Sequence, residues 1–242
     1  PILRPVDDTV VRVIEGQEHV LRRARGYAPL TIAARISRSV LALGGHQKNA
    51  IALASDGRIV LGPHIGGLDG SATRAAFARA IDELTALYDV QPEAIACDRH
   101  PHYHSTHVAE ALGRPIQHVP HHLVHVYAGM LDNGLAGPVL GVAWDGSGYG
   151  EDGTLWGGEF LTVDGELHRR VAHLLRFRLP GGEAAMREPR RSALGVLHAM
   201  YGDSALAKTD LAPVAAFTPT ARRVLATMLE RGVQAPWTSS AG

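Results

Sequence analysis

The chain has 242 residues, 45% of them hydrophobic and 20% charged, which is enough apolar material to bury a substantial core. Its 24 Lys and Arg residues balance 24 Asp and Glu residues, so the broad basic surface of a nucleic-acid-binding protein is not expected. No apolar run approaches the length of a membrane span. The single cysteine, Cys97, excludes an intramolecular disulfide and a multi-cysteine zinc site, and it fits the reducing cytoplasm where we expect the chain to act. The feature that needs an explanation is the presence of 14 histidines.

Short apolar segments dominate the first sixty residues and predict strands. Residues 10–14 and 18–22 flank a Glu-Gly-Gln turn, a pattern typical of a β-hairpin. Glycine and proline then interrupt residues 25–34, which we interpret as a linker. Three strands are predicted after it as an antiparallel meander, at residues 40–43, 50–54 and 58–61.

Helical periodicity alternates with short apolar strands beyond about residue 70. In segment 72–88, Phe77, Ile81 and Leu84 recur at helical spacing. Further helices are predicted at residues 106–112, 121–131, 183–201 and 221–231, and strands at 94–97, 116–119, 139–143, 154–163 and 167–175. A meander followed by alternating strands and helices predicts an α/β domain with a mixed sheet. The final segment, 237–242, carries no pattern of a closing helix or strand.

The sharpest candidate site is the pair His121 and His125 at the start of a predicted helix. Residues four apart project from one helical face, so their two imidazoles can meet one metal ion. The alternative is a pair of ordinary solvated or core histidines, since such spacing arises by chance in a histidine-rich chain. His122 lies on a different face of the helix, and we interpret it as a catalytic candidate that faces a bound substrate.

A glycine-rich segment follows the predicted strand 139–143 and begins with Asp145. A carboxylate at the end of such a strand lies where α/β proteins bind ligands, and we expect it to be the third metal ligand. Two histidines and one aspartate suit Fe(II), Zn or Mn. Gly146, Ser147 and Gly148 would let the backbone approach a phosphate and donate N–H groups to it. A plain hairpin turn is the alternative.

Two more glycine-containing segments are candidates for cofactor binding. Lys48 and Asn49 lie in a predicted turn whose N–H groups and lysine could bind a phosphate, although the spacing is not that of a Walker loop. Gly157 and Gly158 fall inside a predicted strand, where glycine weakens the strand unless a ligand or another backbone segment packs closely. A β-bulge is the structural alternative.

The order of these motifs resembles one family. Residues 97–106 resemble its CDxHPxYxST segment, residues 120–128 its HHxxHxxA helix, and residues 144–160 its long DGTGYGxDGTxWGGEF stretch. Residues 22–29 read RRARGYAP, which looks like the end of the YrdC-like domain that precedes these segments. The chain thus resembles HypF, the carbamoyltransferase of NiFe-hydrogenase maturation, through most of its length.

The resemblance implies an actin-like (ASKHA, Kae1-like) fold, with a mixed sheet and flanking helices that form the first half of a domain pair. Residues 1–34 would be the tail of the YrdC-like domain with a linker, and residues 35–242 the N-terminal part of the Kae1-like carbamoyltransferase domain. Both ends of the chain look cut from something longer, so we expect an incomplete enzyme, inactive alone.

The resemblance also implies a reaction. HypF-type proteins make carbamoyl-adenylate from carbamoyl phosphate and ATP and pass the carbamoyl group to the C-terminal cysteine of HypE. By this carry-over His121, His125 and Asp145 become ligands of Fe or Zn, with Mg²⁺ as a further candidate ion. The nucleotide contacts would come from Lys48, Asn49 and the glycine-rich segments. The partners would be the nucleotide and a HypE-like acceptor.

Departures from the family pattern keep alternatives open. The family's HHHAH reads HHLVH here, and His102 stands where an aspartate is usual. An antibiotic O-carbamoyltransferase or a tRNA threonylcarbamoyl transferase shares the fold, although the RRARGYAP segment argues against both. A non-catalytic metal- or nucleotide-binding module is the alternative from a different class.

Overall fold

The computed structural model describes residues 6–241 and divides the chain into two compact units, Pro1–Val119 and Pro120–Gly242. The predictions for residues 1–5 and 242 fall outside the described residues. The described part of the first unit contains β1 (Val10–Ile14), β2 (Gln17–Arg22), β3 (Leu30–Ala33), β4 (Val40–Ala42), β5 (Ala52–Ser55), β6 (Arg58–Leu61), α1 (Ser71–Leu87), β7 (Ala94–Asp98), α2 (His104–Ala111) and β8 (Ile116–Val119).

A six-stranded mixed sheet forms the body of the first unit. Its strand order is β3-β6-β5-β4-β7-β8, with β4, β5 and β6 in the predicted antiparallel meander and with β4, β7 and β8 parallel. The helix α1 buries Phe77, Ile81 and Leu84 against this sheet, as its spacing predicts. The hairpin β1–β2 forms a separate two-stranded sheet.

The predicted linker over residues 25–34 is wrong in its second half. Leu30–Ala33 is a strand, β3, that pairs with β6 at the edge of the six-stranded sheet. The side chains of Leu30 and Ile32 are half-buried while Thr31 and Ala33 are exposed. This period of two is the signature of a strand with one covered face. Gly26 and Pro29 both precede the strand, so they interrupt only the segment that leads into it.

The second unit contains α3 (His121–Asp132), β9 (Val139–Tyr149), β10 (Leu155–Asp164), β11 (Leu167–His173), β12 (Phe177–Arg178), α4 (Glu183–Arg187), α5 (Pro189–Tyr201), a 3₁₀-helix (Gly202–Ala207), α6 (Ala212–Ala215), α7 (Pro219–Arg231) and β13 (Trp237–Thr238). The strand β10 lies between β9 and β11, antiparallel to both, and also pairs with β13. The helix α3 packs on this sheet through Leu123 and Val126. Gly141 permits a close approach, because a Cβ there would lie 2.4 Å from the side chain of Val126.

Two predictions for this unit are corrected. The strand β9 continues to Tyr149 instead of ending at residue 143, and Trp237–Thr238 forms a strand where no closing element was expected. A two-residue strand carries no periodicity, so its existence depends on the partners β10 and β12.

The helices of the second unit follow local sequence signals. Pro189 and Pro219 stand in the first turns of α5 and α7, where a missing N–H costs nothing. The Thr218 side chain accepts a hydrogen bond from the N–H of Ala221, and Gly232 ends α7 with φ of +70°. Across the described residues, no helix is long and apolar enough to cross a membrane.

Candidate metal centre

The first turns of α3 bring His121 and His125 together. Their Nε2 atoms lie 3.2 Å apart, and the helix begins directly after Pro120, as predicted. The i, i+4 spacing therefore places both rings on one face. His125 is exposed and His121 is half-buried, so the pair lies at the surface of the second unit, within reach of solvent and ligands.

Asp145 reaches this pair from a β-bulge in β9. Gly148 pairs with Trp156 and Trp144 pairs with Gly158, so three residues on β9 face a single residue, Gly157, on β10. Residues 145–147 leave the regular ladder, and such bulges re-aim side chains beside functional sites. The glycine-rich segment is therefore neither a turn nor a loop after a strand, as the sequence suggested, but an irregular part of the strand itself.

The distances within the cluster fit a single metal ion. Asp145 Oδ2 lies 3.2 Å from His121 Nε2 and 3.8 Å from His125 Nε2, and all three ligand atoms lie within 4.8 Å of one another. Ligand atoms about 2.1 Å from one tetrahedral ion are roughly 3.4 Å apart. Asp145 Oδ2 is buried and accepts no well-formed hydrogen bond from the described residues. A buried carboxylate oxygen that faces two imidazole nitrogens is an arrangement that a cation would complete.

The electrostatics keep the carboxylate charged. Burial alone would raise the pKa of Asp145, but the neighbouring His121 and His125 and the N–H of Gly146 outweigh burial and hold this pKa well below its usual range. The Gly146 N–H donates to Asp145 Oδ1 at 2.7 Å, which leaves Oδ2 directed at the histidines. Asp145 is therefore a carboxylate at neutral pH, the form that a metal requires.

His122 does not point away from this cluster, contrary to the prediction. Its side chain is 0% exposed, and its Nε2 lies 3.8 Å from Asp145 Oδ2. Burial, with the charge of His121 beside it, lowers the pKa of His122 to about 4, so the ring is neutral at neutral pH. Neither of its ring nitrogens has a hydrogen-bond partner among the described residues. A ring in this position lies behind the candidate ligands and does not face solvent, so a catalytic role for it stays a prediction.

The glycines of the bulge and of β10 make close approaches within the chain. A Cβ at Gly148 would lie 2.6 Å from His122 Cε1 and 2.8 Å from His121 Cδ2, so this glycine makes room for the histidine rings. The N–H groups of Gly157 and Gly158 donate to Glu159 Oε1 and to the Ser239 carbonyl, respectively. Both N–H groups are therefore used within the chain, and cofactor binding at Gly157 and Gly158 stays a prediction.

Lys48 and Asn49 belong to the first unit. The Asn49 side chain is buried, and its amide nitrogen donates to the carbonyls of Leu43 at 2.8 Å and Gly45 at 2.6 Å. Asn49 thus fixes the turn between β4 and β5. Lys48 is exposed beside Arg22 and Arg23 in a cavity of about 350 Å³. Nucleotide contact by Lys48 and Asn49 stays a prediction, for which Lys48 is the residue with an accessible charge.

A buried ion network beside the cluster is the feature that the sequence did not predict. The Glu159 side chain is 0% exposed, and its Oε2 accepts a hydrogen bond from Arg170 Nε at 2.5 Å. Ser239, from the end of the chain, donates a short hydrogen bond to Glu159 Oε1. Arg170 also stacks over the Trp156 ring, 4.0 Å from its centre. The only sequence signal was a glutamate at an inward-facing position of a predicted strand.

Two family models match the chain side by side. Residues 35–132 match the HypF Kae1-like domain, and residues 141–242 match the second subdomain of the carbamoyltransferase Kae1-like domain. The chain belongs to the HypF family. His121 and His125 fall in the first matched region and Asp145 falls in the second, so the HypF resemblance covers the whole cluster.

Proteins similar to this chain are also named HypF, and they are longer than this chain. The chain is 44% identical over 206 residues to "Carbamoyltransferase HypF" of Synechocystis sp. (strain ATCC 27184 / PCC 6803 / Kazusa), which covers 84% of this chain and 27% of that protein. The structure of full-length HypF in its phosphate- and nucleotide-bound form has 33% identity and a TM-score of 0.92, covering 100% of this chain and 38% of that chain. The structure of T. kodakarensis HypF has 30% identity and a TM-score of 0.85, covering 97% and 32%, respectively. The chain spans between 27% and 38% of these relatives.

These similarities confirm the HypF resemblance and the mixed α/β fold with flanking helices. The division at residue 34 and the functional roles of the site residues stay predictions.

Proposed function

We propose that this chain provides the metal centre for carbamoyl transfer from carbamoyl-adenylate, itself made from carbamoyl phosphate and ATP, to the C-terminal cysteine of a HypE-like acceptor. The observation that carries the proposal is the convergence of His121, His125 and Asp145 in a chain of the HypF family. The donor set of two imidazoles and one carboxylate suits Fe(II) or Zn and leaves coordination positions open.

In the proposed step, a bond forms between the acceptor sulfur and the carbamoyl carbon while the bond from that carbon to the adenylate phosphate oxygen breaks. AMP leaves with the bonding electron pair, and the acceptor reacts as a thiolate. An ion held by His121, His125 and Asp145 would polarise the carbamoyl carbonyl as a Lewis acid. The open face for substrate is the one on which His125 is exposed.

The chain's own residues prepare this site. Asp145 is charged, so it can bind the ion without first losing a proton. His122 adds a neutral ring behind the ligands, which excludes water from that side. In the bulge, the Gly146 N–H orients the carboxylate and is unavailable to a phosphate, which leaves Ser147 and Gly148 as candidates for nucleotide contact.

The test supplies the purified chain with carbamoyl-adenylate and a HypE-like acceptor, with and without a polypeptide comprising the further region present in the longer relatives. Mass spectrometry of the acceptor's C-terminal peptide measures addition of one carbamoyl group. We expect transfer in the supplemented reaction and its loss in the His121→Ala/His125→Ala variant. Equal carbamoyl transfer by the variant and the wild type would contradict the proposal. Absence of transfer in every reaction would favour a non-catalytic metal- or nucleotide-binding module.

A further inference from the structure

The last described residues of the chain cross over β10 and reach the bulge that holds Asp145. The N–H of Ser239 donates to the Leu155 carbonyl at 3.0 Å, and the N–H of Gly158 donates to the Ser239 carbonyl at 2.8 Å. Two residues later, the N–H of Ala241 donates to the Asp145 carbonyl at 3.1 Å. Residues 238–241, here called the crossing segment, thus connect β10 to the candidate ligand.

Gly157 allows this crossing. A Cβ at Gly157 would lie 2.5 Å from the Cα of Ser240 and 2.6 Å from the Asp145 carbonyl oxygen, so the segment and the bulge meet over a residue without a side chain. Ser240 also donates a short hydrogen bond from its hydroxyl to the Gly146 carbonyl. The crossing segment therefore supplies donors to two carbonyls of the bulge, which have left the regular ladder.

A buried carboxylate, Glu159, anchors the crossing segment. Its Oε1 accepts hydrogen bonds from the Ser239 hydroxyl and from the Gly157 N–H at 3.1 Å, and its Oε2 accepts from Arg170 Nε at 2.5 Å. Arg170 also donates to Ser239 Oγ at 3.1 Å, which closes a ring of three side chains. Thr238 and Ser239 are buried at 0% and 1% exposure, so the anchor is held away from solvent.

The network extends to Asp152, which fixes the other side of Arg170. Asp152 Oδ2 lies 3.4 Å from Arg170 Nη1 and 3.1 Å from Arg176 Nη2, and its Oδ1 accepts from Trp156 Nε1 at 2.8 Å. The Trp156 ring lies 6.0 Å from the His122 ring. Charged hydrogen bonds that converge on the largely buried Arg170 hold their members in one arrangement, which suits a supporting shell around a metal site.

We infer that Glu159 is a positioning residue for the metal centre, which acts through Ser239 and the crossing segment to fix the backbone of the bulge and so the direction of the Asp145 carboxylate. The inference rests on the proposed metal centre and deepens it. Gly146 lies within the bulge and Gly148 directly after it, so the bulge has little stiffness of its own. Its geometry then depends on hydrogen bonds from outside, and the crossing segment provides them.

The test measures Zn²⁺ affinity by competition with a chelator and records the visible absorption spectrum of the Co²⁺-loaded chain. Two variants interrupt the path at different points: Glu159→Gln removes the charge of the anchor, and Ala241→Pro removes only the N–H that donates to Asp145. Matched controls are Glu188→Gln, which removes a carboxylate paired with Arg190 at 2.7 Å elsewhere in the second unit, and Ala241→Gly, which keeps the N–H. None of these substitutions changes the side chain of a candidate ligand.

We expect Zn²⁺ affinity to fall about ten- to hundredfold in both interrupting variants, with a changed Co²⁺ spectrum, while the controls match the wild type. The Ala241→Pro variant keeps the buried network whole, so its result stands even if Glu159→Gln unfolds. If the wild type binds Zn²⁺ and the interrupting variants have the same affinity and the same Co²⁺ spectrum, the positioning role of Glu159 is overturned while the proposed metal centre stands. A wild type that binds neither ion would overturn the proposed metal centre and the inference with it.

Discussion

Histidine groups occur in both units of the chain, and the use of their ring nitrogens distinguishes them. In the first unit, His46 Nδ1 accepts the N–H of His104 at 3.3 Å, and its Nε2 lies 3.0 Å from Asp69. His100 Nδ1 accepts the N–H of His102 at 3.2 Å, and the His100 ring stacks on Tyr103 with centres 4.0 Å apart. These contacts use ring nitrogens of both histidines within the first unit.

The second group differs in that its ligand atoms converge on one point. The Nε2 atoms of His121 and His125 approach one carboxylate oxygen, and both nitrogens of the buried His122 lack hydrogen-bond partners within the part of the chain that the structure describes. The difference teaches that the number of histidines does not identify a metal site. Ligand atoms that converge on one point identify a candidate site, because one cation there could contact all three of them.

The largest effect should come from removing the converging rings. We expect His121→Ala/His125→Ala to weaken Zn²⁺ binding at least about a thousandfold with little loss of fold, since each ligand lost from such a site costs several kcal/mol. The matched control is His100→Ala/His102→Ala in the first unit, which should leave Zn²⁺ affinity unchanged. Titration with a chelating indicator measures both, and equal affinity losses in the two variants would contradict the distinction between the groups.

A thiol–imidazole pair in the first unit offers a second contrast. Cys97 Sγ lies 3.5 Å from His118 Nδ1, which resembles a reactive pair. Burial, followed by the charge of Asp98, raises the pKa of Cys97 to about 11, so the thiol stays protonated and inert below that pH. We expect its reaction with a disulfide reagent at pH 8 to be about a hundredfold slower in the native chain than in urea. A native rate close to the rate in urea would show a reactive thiolate.

Gly148 tests the packing beneath the histidines. A methyl group there would displace the rings of His121 and His122, so we expect Gly148→Ala to weaken Zn²⁺ binding about tenfold and to lower the free energy of unfolding by about 1–3 kcal/mol. Gly129 lies in α3, the helix that carries these histidines. A methyl group added there would meet no described atom within 4 Å, so Gly129→Ala should instead raise stability by up to about 1 kcal/mol. Chemical unfolding checks both, and equal behaviour of the two variants would contradict the difference in packing.

The smallest expected effect is the pH dependence from Glu159. Burial raises its pKa, but the hydrogen bonds from Arg170 and Ser239 prevail and lower the pKa below the ordinary value. Because the pKa is depressed in the folded state, the ionised side chain stabilises the fold above the unfolded pKa, which is about 4.3 for glutamate. This stabilisation is lost as the pH falls through the folded pKa. We therefore expect the difference in unfolding free energy between wild type and Glu159→Gln to shrink between pH 7 and pH 3. A difference that is constant over this range would contradict the assigned charge.

Local signals in the sequence predicted much of this molecule. The spacing of His121 and His125 and the position of Pro120 sufficed to place both rings on one helical face, because helix geometry is set within a few residues. Most strands and helices were also predicted within a few residues of their bounds. Asp145 was identified as a candidate for an incorrect structural reason, since its bulge exists only in register with β10.

Long-range contacts lay beyond the sequence patterns. Glu159 and Ser239 are 80 residues apart, and neither carries a signal that names the other. The strand β13 and the crossing segment depend on partners in β10, and the buried position of His122 depends on the glycine at residue 148. These features follow from tertiary packing, which overrides local pattern.

The most direct test of the central claim is metal analysis of the purified, dialysed chain, combined with X-ray absorption spectroscopy of the bound ion. We predict about one Fe or Zn ion per chain, with two imidazole nitrogens and carboxylate oxygen in its first coordination sphere. Absence of a bound ion after incubation with either metal, or a coordination sphere without imidazole, would contradict the metal centre at His121, His125 and Asp145.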